Sequence, residues 1–149
     1  MTYQNLSVKI LSLLQEDGRQ SVRELADKLG VSATTIGKRL EQLEADGVLR
    51  GITADLDYEK LGYAYLAVTR LKVQGDAFSE VLAMLEKYPE LNEIYEITGD
   101  YDILVIGHYR DRNEMNSIIK EIQRENAILE TNTSIVLNTV RNNRSLPLE

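Results

Sequence analysis

The chain has no cysteine, no tryptophan, two prolines and a single histidine among its 149 residues. Without cysteine there is no disulfide scaffold, no thiolate-held zinc or iron–sulfur site and no cysteine nucleophile. One imidazole, His108, does not make a metal site, and no Ser/His/Asp set stands at a spacing that suggests a hydrolytic triad. No metal, no cofactor and no catalysis are therefore expected. Apolar runs are short, none approaching the ~18 residues of a membrane span, and the N-terminal segment lacks a signal-peptide pattern. The expectation is a soluble, cytoplasmic chain. Basic charge is also scarce: 17 Lys and Arg face 24 Asp and Glu, a net charge of −7. That balance argues against a sequence-blind nucleic-acid binder, which usually carries a basic surface. With 43% apolar residues the length suffices for one domain or two small ones with buried cores.

What is present falls into two halves. Leu6, Ile10, Leu13 and Leu14 recur at helical spacing, with Asn5 as N-cap and Gly18 as the stop. Ser21-Val22-Arg23-Glu24 is a capping box that opens a second helix, with Val22, Leu25, Ala26 and Leu29 inward and an end at Gly30. Ser32 caps a third helix that turns Ile36, Leu40 and Leu43 inward and stops at Gly47. From Val48 the period changes. Residues 48–56 read as a short strand or extended linker, 57–62 as a turn, and 63–73 as a strand rich in aromatic and β-branched residues. A helix from Gly75 ends before Pro89. Strands follow over 91–98 and 103–108, a helix over 113–123 with Met115, Ile118, Ile119 and Ile122 on one face, and a last strand over 131–140. Two β-α-β units in succession predict an α+β chain: an N-terminal three-helix helix-turn-helix domain (1–50), a linker with a short strand (51–62) and a ferredoxin-like βαββαβ domain (63–149).

The strands are apolar on both faces. Ile103-Leu104-Val105-Ile106 does not alternate, and Tyr65, Ala67 and Leu71 face opposite to Leu66 and Val68. Two helices cover one face of a four-stranded sheet, so a second copy of the chain is expected on the other, packed sheet against sheet.

The spacing of Leu25, Ala26, Leu29, Gly30, Val31, Ile36 and Leu40 is that of a helix-turn-helix, whose last helix enters the major groove N-terminus first. Removing the buried positions leaves Ser32, Ala33, Thr34, Thr35, Lys38 and Arg39 as candidate DNA contacts: hydroxyls and a threonine methyl for base edges, cations for phosphates or guanine. The same tri-helical unit also serves as a compact core or a protein-interaction module. Gly37, inside that helix, has two open readings, close approach to DNA or neutral drift.

Ile10 to Arg19, Glu24-Leu25-Ala26 with Gly30-Val31-Ser32, Arg39 to Glu44 with Gly47-Val48-Leu49, and Thr98-Gly99-Asp100-Tyr101-Asp102 stand in one order along the whole chain. This set resembles the Lrp/AsnC family of transcriptional regulators, also called feast/famine regulators. Ser7 departs from it, where many relatives carry an aspartate early in the first helix, a difference that touches capping. The resemblance implies a homodimer built by the C-terminal sheets, dimers assembling commonly into octameric discs, and a small effector, usually an amino acid, held between dimers near the Gly-Asp loop. In this chain Asp100 and Asp102, flanking Tyr101, are candidates for an α-ammonium group, and the amides around Gly99 for a carboxylate. Thr98 belongs to the same loop, and Thr131, Asn132, Thr133 and Ser134 are candidates to line the site from a neighbouring subunit. The other reading is that Gly99, Asp100 and Asp102 only build a tight strand connection.

Two other classes fit the composition less well. Tetrapyrrole-processing enzymes of related fold rely on histidine, which this chain nearly lacks. A stacking platform for single-stranded RNA would use the tyrosines (Tyr58, Tyr63, Tyr65, Tyr88, Tyr95, Tyr101, Tyr109), but residues 61–149 hold nine basic and fourteen acidic side chains. Those tyrosines are expected in the core and the dimer contact. Residues 1–60, with eight basic and ten acidic side chains, are nearly neutral, so the acidity lies mainly in the half expected to dimerise and sense.

Overall fold

The computed structural model describes residues 5–142 and 145–148. The chain divides into two compact units, one of residues 5–55 with the described part of the tail from Arg141, the other Leu56–Val140. The tail was expected with the second domain. Instead Leu148 lines a groove of the first unit beside Val8, Leu13 and Leu29. Residues 143, 144 and 149 of that tail lie outside the described residues.

The first unit holds α1 (Asn5–Glu16), α2 (Val22–Leu29) and α3 (Ala33–Ala45). Asn5 lies within α1 rather than capping it from outside. Ser7, read as a capping position, is 2% exposed in the first turn of α1. Both ends of α2 form as their sequence dictates. The Ser21 amide donates to Glu24 Oε2 at 2.6 Å and the Glu24 amide to Ser21 Oγ at 3.3 Å, which holds the Glu24 carboxyl below its usual range. Gly30 takes the left-handed conformation (φ 66°), sparing a Cβ clash, and its amide returns to the Ala26 carbonyl. Ile10, Leu25, Ala26 and Ile36 form the core, with Leu6, Leu13, Leu14, Leu29, Val31 and Leu40 packed around them. Val22, expected inward, is exposed and takes no part in that core.

Residues 48–56 form no strand. Gly51 is at φ 144°, no ladder partner lies beside this stretch, and Ile52 and Leu56 are exposed. The turn expected over 57–62 is present: the Leu61 amide reaches the Asp57 carbonyl, and Lys60 donates its amide to the Asp57 carboxylate at 3.1 Å.

The second unit runs β1 (Tyr65–Val73), a single 3₁₀ turn (Gly75–Ala77), α4 (Phe78–Leu85), β2 (Leu91–Glu96), β3 (Ile103–Tyr109), α5 (Arg112–Gln123) and β4 (Ile128–Ile135). The sheet order is β2-β3-β1-β4, with every neighbouring pair antiparallel, so each helix crosses over and both cover the same face. This is the ferredoxin-like arrangement the two β-α-β units predicted. Beneath the helices, Ala67, Leu71, Ile103, Val105 and Tyr109 pack against Val81, Leu85, Met115, Ile118, Ile119 and Ile122. Asp111 caps α5, accepting from the amides of Asn113 and Glu114 at 2.7 and 2.9 Å.

The last strand, expected over 131–140, starts and stops earlier, because its bounds are set by pairing with β1 from Val73↔Ile128 to Ala67↔Ile135. The tyrosines divide: Tyr65, Tyr88 and Tyr109 join the core, whereas Tyr58 and Tyr95 lie at the surface.

Candidate nucleic-acid interface and effector loop

The first candidate surface is the start of α3. Ser32, extended in backbone, accepts from the Thr35 amide at 3.1 Å, and the two hydroxyls share a hydrogen bond of 2.8 Å. Both oxygens are thereby drawn into closing the helix end. Ala33, Thr34 and Lys38 are exposed, and Arg39 is half-buried at the side of the helix. Thr34 and Lys38, four residues apart, share the face opposite Ile36, Leu40 and Leu43. Gly37 lies beside them. An interior helical glycine costs about 1 kcal/mol relative to alanine, and nothing lies within 4 Å of where its Cβ would sit.

The second candidate is the loop between β2 and β3. The Ile97 amide donates to the Asp102 carbonyl at 2.9 Å, closing residues 97–102, and Gly99 sits at φ 114°, a conformation that only glycine adopts without strain. Asp100 is exposed. Asp102 is used differently from the sequence expectation of a paired carboxylate. Its amide donates to the Leu71 carbonyl at 2.9 Å, and its Oδ2 accepts from the Val73 amide at 2.7 Å, so it ties the loop to β1. Tyr101 donates to Glu130 Oε1 at 2.7 Å, which raises its own pKa, and its ring lies 4.9 Å beneath the Arg70 guanidinium. Arg70 in turn donates to Asn132 Oδ1 at 2.8 Å.

The threonines of β4 lie on the other side of the sheet. Thr133 shares a hydrogen bond of 2.9 Å with Thr69, which is 2% exposed, and Thr131 accepts from Gln123 of α5. Within one chain, Thr98, Gly99, Asp100, Tyr101 and Asp102 are contiguous, while Thr131 and Thr133 point to the helix-covered face and Glu130 and Asn132 to the open one. Asn132 was a candidate from the sequence, but Arg70 and Glu130, and the network that joins all three, were not legible there. The three residues come from strands about 60 positions apart, and only the register Arg70↔Asn132 unites them.

The open face of the sheet carries Leu66, Val68, Leu104 and Ile106, all half-buried, with Tyr95 exposed opposite Leu104. His108 lies at one end of that face. Its Nδ1 is 2.6 Å from Asn92 Oδ1, and the Tyr58 ring stands 4.8 Å from its imidazole.

Comparison with known proteins agrees with this architecture. Residues 65–146 match the Lrp/AsnC ligand binding domain, and residues 5–50 match a winged helix-turn-helix DNA-binding domain. An uncharacterized HTH-type transcriptional regulator of Pyrococcus furiosus is 40% identical over 141 residues, 95% of either chain. The HTH-type transcriptional regulator FL11 of Pyrococcus horikoshii is 38% identical over 95% of this chain and 93% of its own. Among solved structures, AsnC of E. coli superposes with a TM-score of 0.90 at 30% identity over 99% of both chains. A transcriptional regulator of Neisseria meningitidis, solved as its L-Met complex, does so with a TM-score of 0.90 at 28% identity, covering 98% of this chain and 97% of its own. A helix-turn-helix unit followed by this ligand-binding sheet defines a DNA-binding transcriptional regulator, not an enzyme. The chain belongs to the Lrp/AsnC family. Among the described residues no helix is long and apolar enough to cross a membrane.

Proposed function

We propose that this regulator reads double-stranded DNA through the exposed start of α3 and that an amino acid or similar small metabolite tunes its assembly. Ser32, Ala33, Thr34, Thr35, Lys38 and Arg39 form the reading surface, with Thr34 and Lys38 at its centre and Ser32 and Thr35 holding the helix end. The amides of that end favour a phosphate. The chain pairs through the open sheet face, and the dimers gather into a higher oligomer, commonly an octamer in the family. The effector sits between dimers at Thr98 to Asp102, with Thr131 and Thr133 supplied from a neighbouring subunit. Asp100 is the carboxylate for an ammonium group, because Asp102 is already bound to β1. The Neisseria regulator bound to L-Met supports an amino acid as the ligand class.

The mechanism is a shift of population: an effector that prefers one assembly alters the spacing of the paired reading helices, and with it the DNA sites that several copies grip together. The observation that carries the reading is the Gly99-Asp100 turn, tied to β1 through Asp102 and to β4 through Tyr101 while Asp100 stays exposed. A thermal-shift screen of the twenty amino acids tests it. At least one raises the melting temperature of the wild-type chain, and Asp100→Ala abolishes that rise while binding DNA as before. No shift with any amino acid, or an unchanged shift in the variant, overturns the effector assignment.

A further inference from the structure

Gly37 is the only glycine inside an α-helix among the described residues. Of the eight other glycines, all but Gly75, which opens the 3₁₀ turn ahead of α4, have visible reasons. Gly30, Gly47, Gly51, Gly62 and Gly99 take positive φ, and at Gly18 and Gly107 a Cβ would lie 2.7 Å from the Ile52 side chain and from Tyr109 Cζ respectively. Gly37 has none of these. Its φ is not positive, a Cβ there would meet nothing within 4 Å, and the helix would be more stable with almost any other residue. The fold gives no use for the missing side chain.

The surface around it does. One helical turn before Gly37 stand Ala33 and Thr34, Lys38 follows it, and Glu41 lies one turn beyond; all four are exposed. Gly37 itself is half-buried, and the open space over it borders the face that presents Thr34 and Lys38. We propose that Gly37 is a specificity-determining residue: its bare Cα lets a base edge of the major groove come directly against α3, at the depth where Thr34 and Lys38 reach their partners. Hydrogen bonds to those partners tolerate a window of only about half an ångström, so a methyl standing between helix and base edge breaks them. The inference rests on the reading of α3 as the DNA-contacting helix.

The test uses the full-length chain and two duplexes, one enriched by the wild-type protein from a random-sequence pool and one unrelated. Gly37→Ala raises the melting temperature by about 2–4 °C. It also weakens binding to the enriched duplex by roughly tenfold or more, the size of one lost base contact, with the unrelated duplex and the salt dependence unchanged. Unchanged affinity for the enriched duplex overturns the proposal, and so does an equal loss on both duplexes. A fall in melting temperature also overturns it, because the glycine would then serve the fold. Lys38→Ala and Arg39→Ala, assayed alongside, separate the two levels of the argument. If both weaken binding and flatten its salt dependence while Gly37→Ala does not weaken it, the Gly37 assignment alone falls. If neither weakens binding, the reading of α3 falls and takes Gly37 with it.

Discussion

Tyr109 is 1% exposed, and its ring folds back along β3 over Gly107, whose missing side chain provides the room. Burial, reinforced by the nearby charges of Glu90 and Glu114, pushes its hydroxyl up to about 12 from the ordinary 10.0. The folded chain thus keeps a proton that the unfolded chain gives up first, and stability from this group is complete below pH 10 and lost as pH rises toward 12. Urea titrations across that window are expected to show falling stability in the wild type and a flatter profile in Tyr109→Phe. Parallel profiles would mean that the ring titrates as freely folded as unfolded. Sequence marks Tyr109 only as apolar and aromatic. Its titration depends on the helices laid over it, which no local pattern specifies.

At the scale of elements, caps and turns were the most legible features, because their chemistry lies within a few residues. Ser21 with Glu24, Gly30, and Ser32 with the Thr35 amide all stand as their spacing predicts. The β2–β3 loop was legible only in part. Gly99 announces a turn, but whether a nearby carboxylate faces a ligand or the backbone depends on which strand lies beside it. Asp102 meets Val73, 29 positions away. Asp102→Ala leaves the Val73 amide without its partner and is expected to cost about 1–3 kcal/mol in chemical denaturation. Asp100→Ala, an exposed substitution, should stay within about 0.5 kcal/mol of wild type. Equal and small costs for the two would return Asp102 to the candidate ligands.

For the whole molecule, the unpaired apolar face is the decisive feature. Leu66, Val68, Leu104 and Ile106 form its centre, bordered by Arg70, Tyr95, Glu93 and His108. A sheet buried by helices on one side and apolar on the other favours association with a second sheet. Light scattering at micromolar concentration should report at least a dimer, and Ile106→Lys should lower the mass by placing a charge in the contact. A monodisperse wild-type monomer sinks the pairing. The acidic total does not argue against DNA at this scale. It sits mainly in residues 61–149, which leaves residues 1–60, the part that holds the helix-turn-helix unit, nearly neutral.

By itself the sequence determined the three helices, the N-caps of the second and third, the order of the second unit, the two-faced apolar strands and the family, since each rests on periodicity or on motifs read within a short span. Tertiary structure decided what depends on distant partners: the bounds of β4, the absence of a strand in 48–56, the capture of Asp102 by β1, and the Arg70–Tyr101–Glu130–Asn132 network. The physical reason is the same in each case. A strand end, a carboxylate or a guanidinium takes its role from the neighbour that satisfies its hydrogen bonds, and in a sheet that neighbour is set by register across long stretches of chain.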